Sequence, residues 1–440
     1  MTIRESSQTG NVNNDHVRAL DRAGVFHSWS AQGALQPMVF KGGEGCRLWD
    51  YDGRDYLDFS SQLVNTNIGH QHPRVIEAIK AQADELATIA PAHANLARGR
   101  AARKILDLAP AGFSKVFFTN AGADANENAI RMARAVTGRE KILSAYRSYH
   151  GGTGSAIAAT GDFRRVPNEF SRGHVRFFNP FLYRSEFWAG NEEEECQRAL
   201  HHLRRVIECE GAASIAGLLL ETIPGTAGVL VPPRGYLEGV RALADEFGIV
   251  LILDEVMAGF GRTGKWLALE HFGVVPDLIT FAKGVNSGYV PAGGVIISER
   301  IASHFDEEMF YGGLTYSGHP LAMAAICATL EVMEQEDVVG NAASIGEAVL
   351  TPGLERLRDK HDIIGDVRGL GVFHAIELVE SKQSRAPLPA AEVARLKQGM
   401  IDRGLLPFVV ANRIHVVPPC IVTPAEARRG LEIIDEALAG

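Results

Sequence analysis

Two residues of opposite chemistry each end a short apolar segment of this chain. Lys283 ends the segment 277–283, DLITFAK, and Asp254 ends the segment 249–254, IVLILD. Such segments are typical of buried strands in a parallel sheet, whose carboxyl ends meet at one edge. An amine and a carboxylate at the same edge could hold an aldehyde cofactor. The lysine would form a Schiff base, and the aspartate would face a protonated pyridine nitrogen.

Apolar runs alternate with helical patterns through the middle of the chain, which favours an α/β fold with a mostly parallel sheet flanked by helices. Residues 236–247 carry apolar side chains at helical spacing, and we predict a helix there. The alternation weakens near both chain ends. We therefore predict a large domain, 65–330, and a smaller α/β domain built from 1–64 and 331–440. The predicted strands of the large domain are 116–118, 142–145, 216–220, 249–253, 278–281 and 295–297.

The composition favours a cytoplasmic enzyme. The 440 residues are 46% hydrophobic, enough for a substantial core, and the net charge of −9 provides no general attraction for nucleic acid. No apolar stretch approaches the ~20 residues of a membrane-spanning helix, and the first residues lack the apolar centre of a secretory signal. The scattered cysteines predict reduced thiols and no metal site. Glu192–Glu195 after Asn191 predicts a capped, solvated first helical turn.

Three further segments could complete a cofactor site. After the strand 116–118, Gly122 and Ala123 lead into a predicted helix, whose first N–H groups could bind a phosphate. Taken alone, such a turn more often serves as a tight connection. Tyr149 follows the next strand and offers an aromatic face to a planar ring. Thr315 lies in a glycine-rich loop before another helix and is a second candidate for the phosphate.

Taken together, these segments resemble the class III aminotransferases of pyridoxal phosphate (PLP) fold type I. Their order and spacing agree with that family from about residue 43 to about residue 423. The matching motifs are AGADANE at 121–127, YHG at 149–151, Glu221, DEV at 254–256, GFGRTG at 259–264, FAKG at 281–284 and TYSGHP at 315–320.

The resemblance implies a role for each matching residue. Lys283 would carry PLP as a Schiff base, and Asp254 would pair with its pyridine nitrogen. Tyr149 and Val256 would cover the two faces of the ring, and Glu255 would be a supporting acid. The other implied cofactor contacts are Gly122, Ala123, His150, Glu221 and, from the partner subunit of a homodimer, Thr315.

The likeness is greatest to omega-amino-acid and amine transaminases of the taurine or β-alanine type. These pass an amino group to a 2-oxo acid such as pyruvate or 2-oxoglutarate by a ping-pong mechanism. Trp29, Gln62 and Leu63 occupy positions that line the substrate pocket in such enzymes, although ordinary core packing is the alternative. Thr226 replaces a glutamate of ornithine- and 4-aminobutyrate-type relatives. Arg413 is shifted from the family's usual arginine and is either a carboxylate or sulfonate clamp or a solvated charge.

Other functions remain open or are disfavoured by particular residues. The segment 259–265 has the spacing of a phosphate-binding loop of ATPases, but Trp266 stands where that loop needs a hydroxyl for magnesium. A non-catalytic relative would be expected to lose Lys283 or Asp254, and this chain keeps both. A phospholyase or a racemase of the same family remains the alternative, because likeness of fold does not determine reaction type.

Overall fold

The structure is a computed structural model that describes residues 12–440. The prediction that the first residues carry no secretory signal lies outside the described residues. The strands within 12–440 are β1 Gly42–Glu44, β2 Arg47–Trp49, β3 Asp55–Asp58, β4 Phe113–Thr119, β5 Lys141–Ala145, β6 His174–Phe177, β7 Ile215–Glu221, β8 Val250–Asp254, β9 Leu278–Ala282, β10 Gly293–Ser298, β11 Ile364–Leu370, β12 Phe373–Leu378, β13 Leu405–Leu406, β14 Phe408–Val410 and β15 Arg413–Val416.

The α-helices of the same part of the chain range from single turns to nineteen residues. Among the described residues, none is both long and apolar enough to cross a bilayer. They are α1 Asn14–Gly24, α2 Ser61–Val64, α3 Pro73–Glu85, α4 Leu96–Leu108, α5 Gly122–Thr137, α6 Gly154–Ala159, α7 Glu192–Glu210, α8 Tyr236–Phe247, α9 Glu299–Ala302, α10 Pro320–Gln335, α11 Val338–Ile345, α12 Thr351–Lys360, α13 Ala390–Asp402 and α14 Pro424–Ala439.

A seven-stranded sheet forms the centre of the molecule, in the order β4-β10-β9-β8-β7-β5-β6. Only β10 runs against its neighbours among these strands. Every residue of β7, β8 and β9 is buried, as expected for strands covered by helices on both faces. The mostly parallel sheet predicted from the sequence is therefore confirmed. The sequence prediction missed β6, whose residues 174–177 include two basic side chains.

Two smaller sheets are built largely from the chain ends. One has the order β1-β2-β3-β13, in which β3 from the first part of the chain pairs in parallel with β13 from the last part. The other is antiparallel, in the order β11-β12-β15-β14. This confirms a smaller α/β unit made from both ends, while the domain limits at 64/65 and 330/331 stay predictions.

Three helices follow local sequence signals, and one side chain in a first turn departs from the prediction. The predicted helix over 236–247 is α8, and α14 begins with a capping box between Thr423 and Glu426. Asn191 caps α7 as predicted. Glu195, however, is buried, because its carboxylate accepts hydrogen bonds from the Phe181 amide at 2.7 Å and the Ser185 hydroxyl at 2.5 Å. The prediction of a wholly solvated first turn was wrong at this residue.

Glu255 is a buried acid directly after β8, and its hydrogen bonds hold the end of that strand in place. Its carboxylate accepts hydrogen bonds from the Thr222 hydroxyl at 2.7 Å and from the amides of Ala268 and Leu269, each at 2.8 Å. Burial raises the pKa of Glu255 to about 7, an effect that the charge of Asp254 reinforces and the three hydrogen bonds oppose. The folded protein thus keeps a proton on Glu255 that the unfolded chain releases in more acidic solution.

Because the folded state retains this proton, we predict that the free energy of unfolding falls as the pH rises. In cofactor-free protein, wild type should lose up to about 3 kcal/mol relative to Glu255→Gln as the pH rises from 5 to 8. The unfolded state, with a pKa of 4.5, has already released most of this proton at the start of the interval, whereas the folded state retains it up to a pH of about 7 and must then bury a charge. Thermal unfolding of both proteins across this range measures the difference. A gap between their Tm values that does not change with pH would contradict the assignment.

Candidate active site

The ends of neighbouring parallel strands bring the candidate catalytic pair to one edge of the central sheet. Asp254, the last residue of β8, pairs in register with Thr280 of β9. Lys283 follows the last residue of β9 and begins a short 3-10 turn. Its backbone φ is +49°, a left-handed value that is uncommon for a residue with a side chain. Backbone strain of this kind tends to occur at functional sites, where the surrounding structure enforces it.

Three donors fix the carboxylate of Asp254, which is only 3% exposed. Oδ2 accepts hydrogen bonds from Asn126 Nδ2 at 2.7 Å and from His150 Nδ1 at 2.8 Å. Oδ1 accepts one from the Val256 amide at 3.0 Å. The side-chain oxygen of Asn126 accepts in turn from the Thr280 hydroxyl at 2.7 Å. Since each partner lies on a different segment, the orientation of the carboxylate is set before any ligand binds.

Lys283 lies in an environment that favours its neutral amine. Burial lowers the pKa of Lys283 below its usual range, and the carboxylates of Glu221 and Asp254 partly oppose this effect. The charges of Arg164 and Arg262 lower the pKa further. A neutral amine is the form that can attack an aldehyde or accept a proton. Burial therefore shifts Lys283 towards the form that both roles require.

Glu221 ends β7 directly beside Asp254, with which it is in register. Its carboxylate accepts from the Tyr149 amide and from the Gly225 amide, both at 2.9 Å. Burial raises the pKa of Glu221 to about 7, and the nearby charge of Asp254 adds to this while His150 opposes it. Glu221 thus positions the backbone of Tyr149 and links the site to the turn at Gly225.

The start of α5 forms a cradle suited to a phosphate. No side chain caps this helix, whose first residues are Gly122 and Ala123, so its first N–H groups remain available to an anion. A Cβ added at Gly122 would lie 2.8 Å from Val256 Cγ1, and one added at Gly151 would lie 2.4 Å from the Ala123 Cβ. Only glycine at these two positions lets the helix start, the Tyr149 segment and Val256 come together.

This donor set fits PLP. An amine, a fixed carboxylate and free helix N–H groups match the aldehyde, the pyridine nitrogen and the phosphate of that cofactor. Buried His150 Nε2 has no hydrogen-bond partner within residues 12–440, so it can contact a further group. No cluster of three or more metal-ligating side chains occurs among the described residues. The individual roles of these residues stay predictions.

Sequence reasoning missed several side chains that shape this site. Asn126 and Thr280 were not singled out, although Asn126 follows Gly122 by one helical turn and is therefore on the same side of α5. Arg164 was also missed. Its guanidinium lies 3.6 Å from the ring centroid of Tyr149, and its Nε donates to Asp162 at 3.0 Å. Nothing in the local sequence indicates that this arginine folds back over the aromatic ring.

The candidate substrate residues before β4 lie in unusual backbone conformations. Trp29 has a φ of +53° and is 68% exposed in the single chain, away from every contact described above. Gln62 turns its amide towards Asp58, to which Nε2 donates at 3.1 Å. Leu63 is 51% exposed. Their place in a substrate pocket stays a prediction.

Arg413 lies on β15 and not in an exposed polar loop, so the solvated-charge alternative is wrong. Burial lowers its pKa, and Nε is buried without a hydrogen-bond partner in the described chain. Three neighbouring arginines are compensated: Arg147 pairs with Glu186 at 2.5 Å, while Arg184 and Arg368 pair with Glu377 at 2.5 and 2.8 Å. Within residues 12–440, Arg413 forms no salt bridge. It is the cation of this cluster that can bind an acidic ligand.

The loop that carries Thr315 is anchored to the rest of its own chain by neighbouring residues. Ser317 Oγ donates to the Phe118 carbonyl at 2.6 Å, and Arg98 Nε donates to the Gly318 carbonyl at 3.1 Å. Thr315 itself is exposed. The loop is therefore fixed while its threonine points away from the well-packed core.

Known proteins share this arrangement over almost the full chain. Residues 29–438 match the family described as Aminotransferase class-III. The chain is 33% identical to the taurine–pyruvate aminotransferase of Bilophila wadsworthia, over 96% of this chain and 95% of that protein. It is also 33% identical to a leucine/methionine racemase of Thermococcus litoralis, over 92% and 91% of the two chains.

One solved structure has a higher sequence identity to this chain than these two relatives. The taurine:2-oxoglutarate aminotransferase from Bifidobacterium kashiwanohense, in complex with PLP and glutamate, has a TM-score of 0.94 and 42% sequence identity, with 98% of both chains covered. This likeness confirms PLP fold type I and PLP as the cofactor expected from the sequence. It also removes the ATPase alternative. The chain belongs to the class III aminotransferases.

Proposed function

We propose that this enzyme moves an amino group from a taurine-like or β-alanine-like omega-amino acid to a 2-oxo acid such as pyruvate or 2-oxoglutarate, in a ping-pong cycle. The observation that carries the proposal is the combination of Lys283 beside the fixed Asp254 with the uncompensated cation of Arg413. Lys283 and Asp254 perform amino transfer, and Arg413 selects substrates that carry an acidic group. The taurine aminotransferases among the relatives support this choice of substrates.

The residues of the site divide the chemical work. When bound, PLP supplies an aldehyde for the amino group and a ring that withdraws electrons. Asp254, held as an acceptor by three donors, would pair with the ring nitrogen and favour its protonated form. Lys283 Nζ, whose pKa is lowered by burial, would accept a proton from the substrate carbon and later return it. Tyr149 and Val256 would cover the two faces of the ring.

Arg413 binds the sulfonate or carboxylate of the donor and, in the second half of the cycle, the carboxylate of the acceptor. Its guanidinium forms no salt bridge within the described residues, although the charge of Glu377 partly opposes the effect of burial on its pKa, and its burial strengthens any charge-assisted hydrogen bond that it makes. Gly228 permits its position, because a Cβ there would lie 2.5 Å from Arg413 Cδ. Arg147, Arg184 and Arg368 are occupied by their own partners and shape the surrounding potential.

The active unit is a homodimer with shared sites, located in the cytoplasm. Around Thr315, the side chains of Tyr311 and Tyr316 are 89% and 63% exposed, which is unusual for aromatic residues and favours coverage by a second copy. Thr315 of one chain then contributes to the phosphate site of the other. The five cysteines are free thiols, consistent with a reducing compartment.

A racemase of this family is the second candidate, because a racemase is as similar in sequence as a taurine aminotransferase. The two reactions differ in their products. A racemase removes a proton and returns it to the opposite face of the same carbon, which keeps its amino group, and a phospholyase eliminates phosphate. Neither leaves the amino group on the cofactor at the end of a half-reaction.

Asp254→Asn tests the charge that stabilises the ring nitrogen. The variant should still bind PLP, while kcat falls roughly 100- to 1000-fold, the range for loss of one preorganised electrostatic group. Asp277→Asn is the matched control, since Asp277 is a partly buried aspartate at the opposite end of β9, paired with Arg241 and Arg300 at 3.0 and 2.7 Å. It should lower Tm and leave kcat nearly unchanged. Near-normal kcat in Asp254→Asn would contradict the role.

Single-turnover experiments with taurine test both the function and Arg413. Without an acceptor, wild type should release one equivalent of aldehyde per site, and pyruvate or 2-oxoglutarate should restore the starting absorbance. Arg413→Met should lower kcat/KM for taurine roughly 10- to 150-fold, because one or two charge-assisted hydrogen bonds are lost. An uncharged alkylamine serves as control and should react equally well with both proteins. Release of phosphate from phosphoethanolamine without lasting bleaching would favour the phospholyase, and an equal loss for both donors would remove Arg413 from substrate binding.

Mixed dimers test the shared site. Thr315→Ala should weaken PLP affinity roughly 10- to 150-fold without dissociating the dimer. When a Lys283→Ala chain pairs with a Thr315→Ala chain, one site carries both lesions and the other carries neither. Near-wild-type affinity should therefore return at half of the sites, as measured by titration with PLP. If every site behaves as singly impaired, Thr315 acts within its own chain.

A further inference from the structure

The glycine-rich segment Gly259–Lys265 forms an internal turn and is followed by no α-helix before residue 298 in the described chain. Its Arg262 is the largest fully buried side chain among the described residues, with 0% exposure. Burial of a guanidinium is costly unless partners compensate it. The contacts of Arg262 therefore indicate what this segment does.

Arg262 binds uncharged acceptors from three separate segments. Nη2 donates to Asn67 Oδ1 at 2.7 Å and to Ser61 Oγ at 3.2 Å. Nη1 donates to the carbonyl of Pro418 and, at 3.4 Å, to that of Val372. No carboxylate of the described residues forms a salt bridge with it, and its Nε has no partner. The cation thus connects the large sheet to both chain ends through hydrogen bonds alone.

One of these segments is a strained turn, Ser60–Val64. Ser61 and Gln62 have φ values of +43° and +61°, and Val64, a β-branched residue, has +60°. Left-handed conformations at such residues are unfavourable and persist only where the surroundings enforce them. Ser61 Oγ provides one restraint, because it donates to the Val417 carbonyl at 2.7 Å while accepting from Arg262.

The strained turn adjoins the catalytic lysine. Asn67, which binds Arg262, packs so closely on the residue after Lys283 that a Cβ at Gly284 would lie 2.3 Å from Asn67 Nδ2. Val64 is buried in the cluster that contains Met257, three residues beyond Asp254. Leu63, between these anchored residues, is half exposed. The turn therefore presents Leu63 beside the ends of β8 and β9.

We infer that Arg262 is a positioning residue that holds the strained turn Ser60–Val64 against the Lys283 segment, so that Leu63 forms a fixed wall of the substrate cleft. Only the part of the inference that concerns Leu63 and the substrate cleft rests on the proposed transaminase function. The turn's amides at Val64, Asn65 and Thr66 donate to carbonyls within the turn, and their hydrogen exchange reports how tightly it is held, whatever the reaction.

The test uses the PLP-loaded enzyme with Arg262→Lys, which keeps the charge but cannot bridge three segments, and with Ser61→Ala, which removes a single restraint. In both variants, exchange at Val64–Thr66 should accelerate roughly 2- to 10-fold or more for each hydrogen bond lost. The kcat/KM for the amino donor should fall by a similar factor through KM. PLP affinity and the absorbance of the bound cofactor should stay at wild-type values.

Arg139→Lys is the matched control. Arg139 also binds several backbone carbonyls, including those of Phe247 at 3.1 Å and Gly248 at 2.9 Å, but at the start of β5, on the opposite edge of the sheet. It should lower Tm without changing exchange at Val64–Thr66 or kcat/KM.

Unchanged exchange in both test variants, or equal acceleration in Arg139→Lys, would overturn the inference. Faster hydrogen exchange with an unchanged KM would overturn the role of Leu63 as a fixed wall of the substrate cleft. If taurine and its analogues fail as donors for wild type, the proposed function fails, and the exchange data still decide whether Arg262 holds the turn. Ser61→Ala keeps the test available if Arg262→Lys does not fold.

Discussion

The carboxylate of Asp254 is buried at the end of β8 and must be surrounded by donors to remain there. Asn126 on α5, His150 after β5 and the Val256 amide supply them from three segments. A buried acceptor with this many donors resists rotation, so it presents a fixed carboxylate to whatever occupies the edge of the sheet. The neighbouring strands β7, β8 and β9 of the central sheet place Glu221, Asp254 and Lys283 side by side at this point.

Fixing one charge has consequences for its neighbours. Glu221 lies next to Asp254, and burial together with that charge raises the pKa of Glu221 to about 7. Lys283 experiences the opposite balance, since burial lowers its pKa although both carboxylates favour its cation. In the cluster around Arg413, the neighbouring Arg147, Arg184 and Arg368 are each paired with an acid, whereas Arg413 forms no salt bridge within the described residues. The site therefore combines buried ionisable groups at the ends of β7, β8 and β9 with an arginine on β15 that has no salt-bridge partner among the described residues.

The sequence predicted the parts of this arrangement that depend on short-range pattern. Continuous apolar runs predicted β7, β8 and β9, and the residues that end them predicted the candidate catalytic pair. Contacts between distant segments could not be predicted in this way. The stacking of Arg164 on Tyr149, the burial of Glu195 and the tether from Arg262 to Ser61 each join residues whose sequence neighbours carry no corresponding signal. Arg413 was misjudged as a possible solvated charge because burial of a charged side chain on β15 depends on the packing of three other segments.

The central claim is that Lys283, beside Asp254, is the residue that binds the cofactor covalently. Reduction of the PLP-loaded enzyme with borohydride, followed by proteolysis and mass spectrometry of the peptides, tests it directly. The account predicts one pyridoxyl group per chain, on the peptide that contains Lys283. A label on Lys265 or any other lysine, or loss of all cofactor after reduction and unfolding, would contradict it.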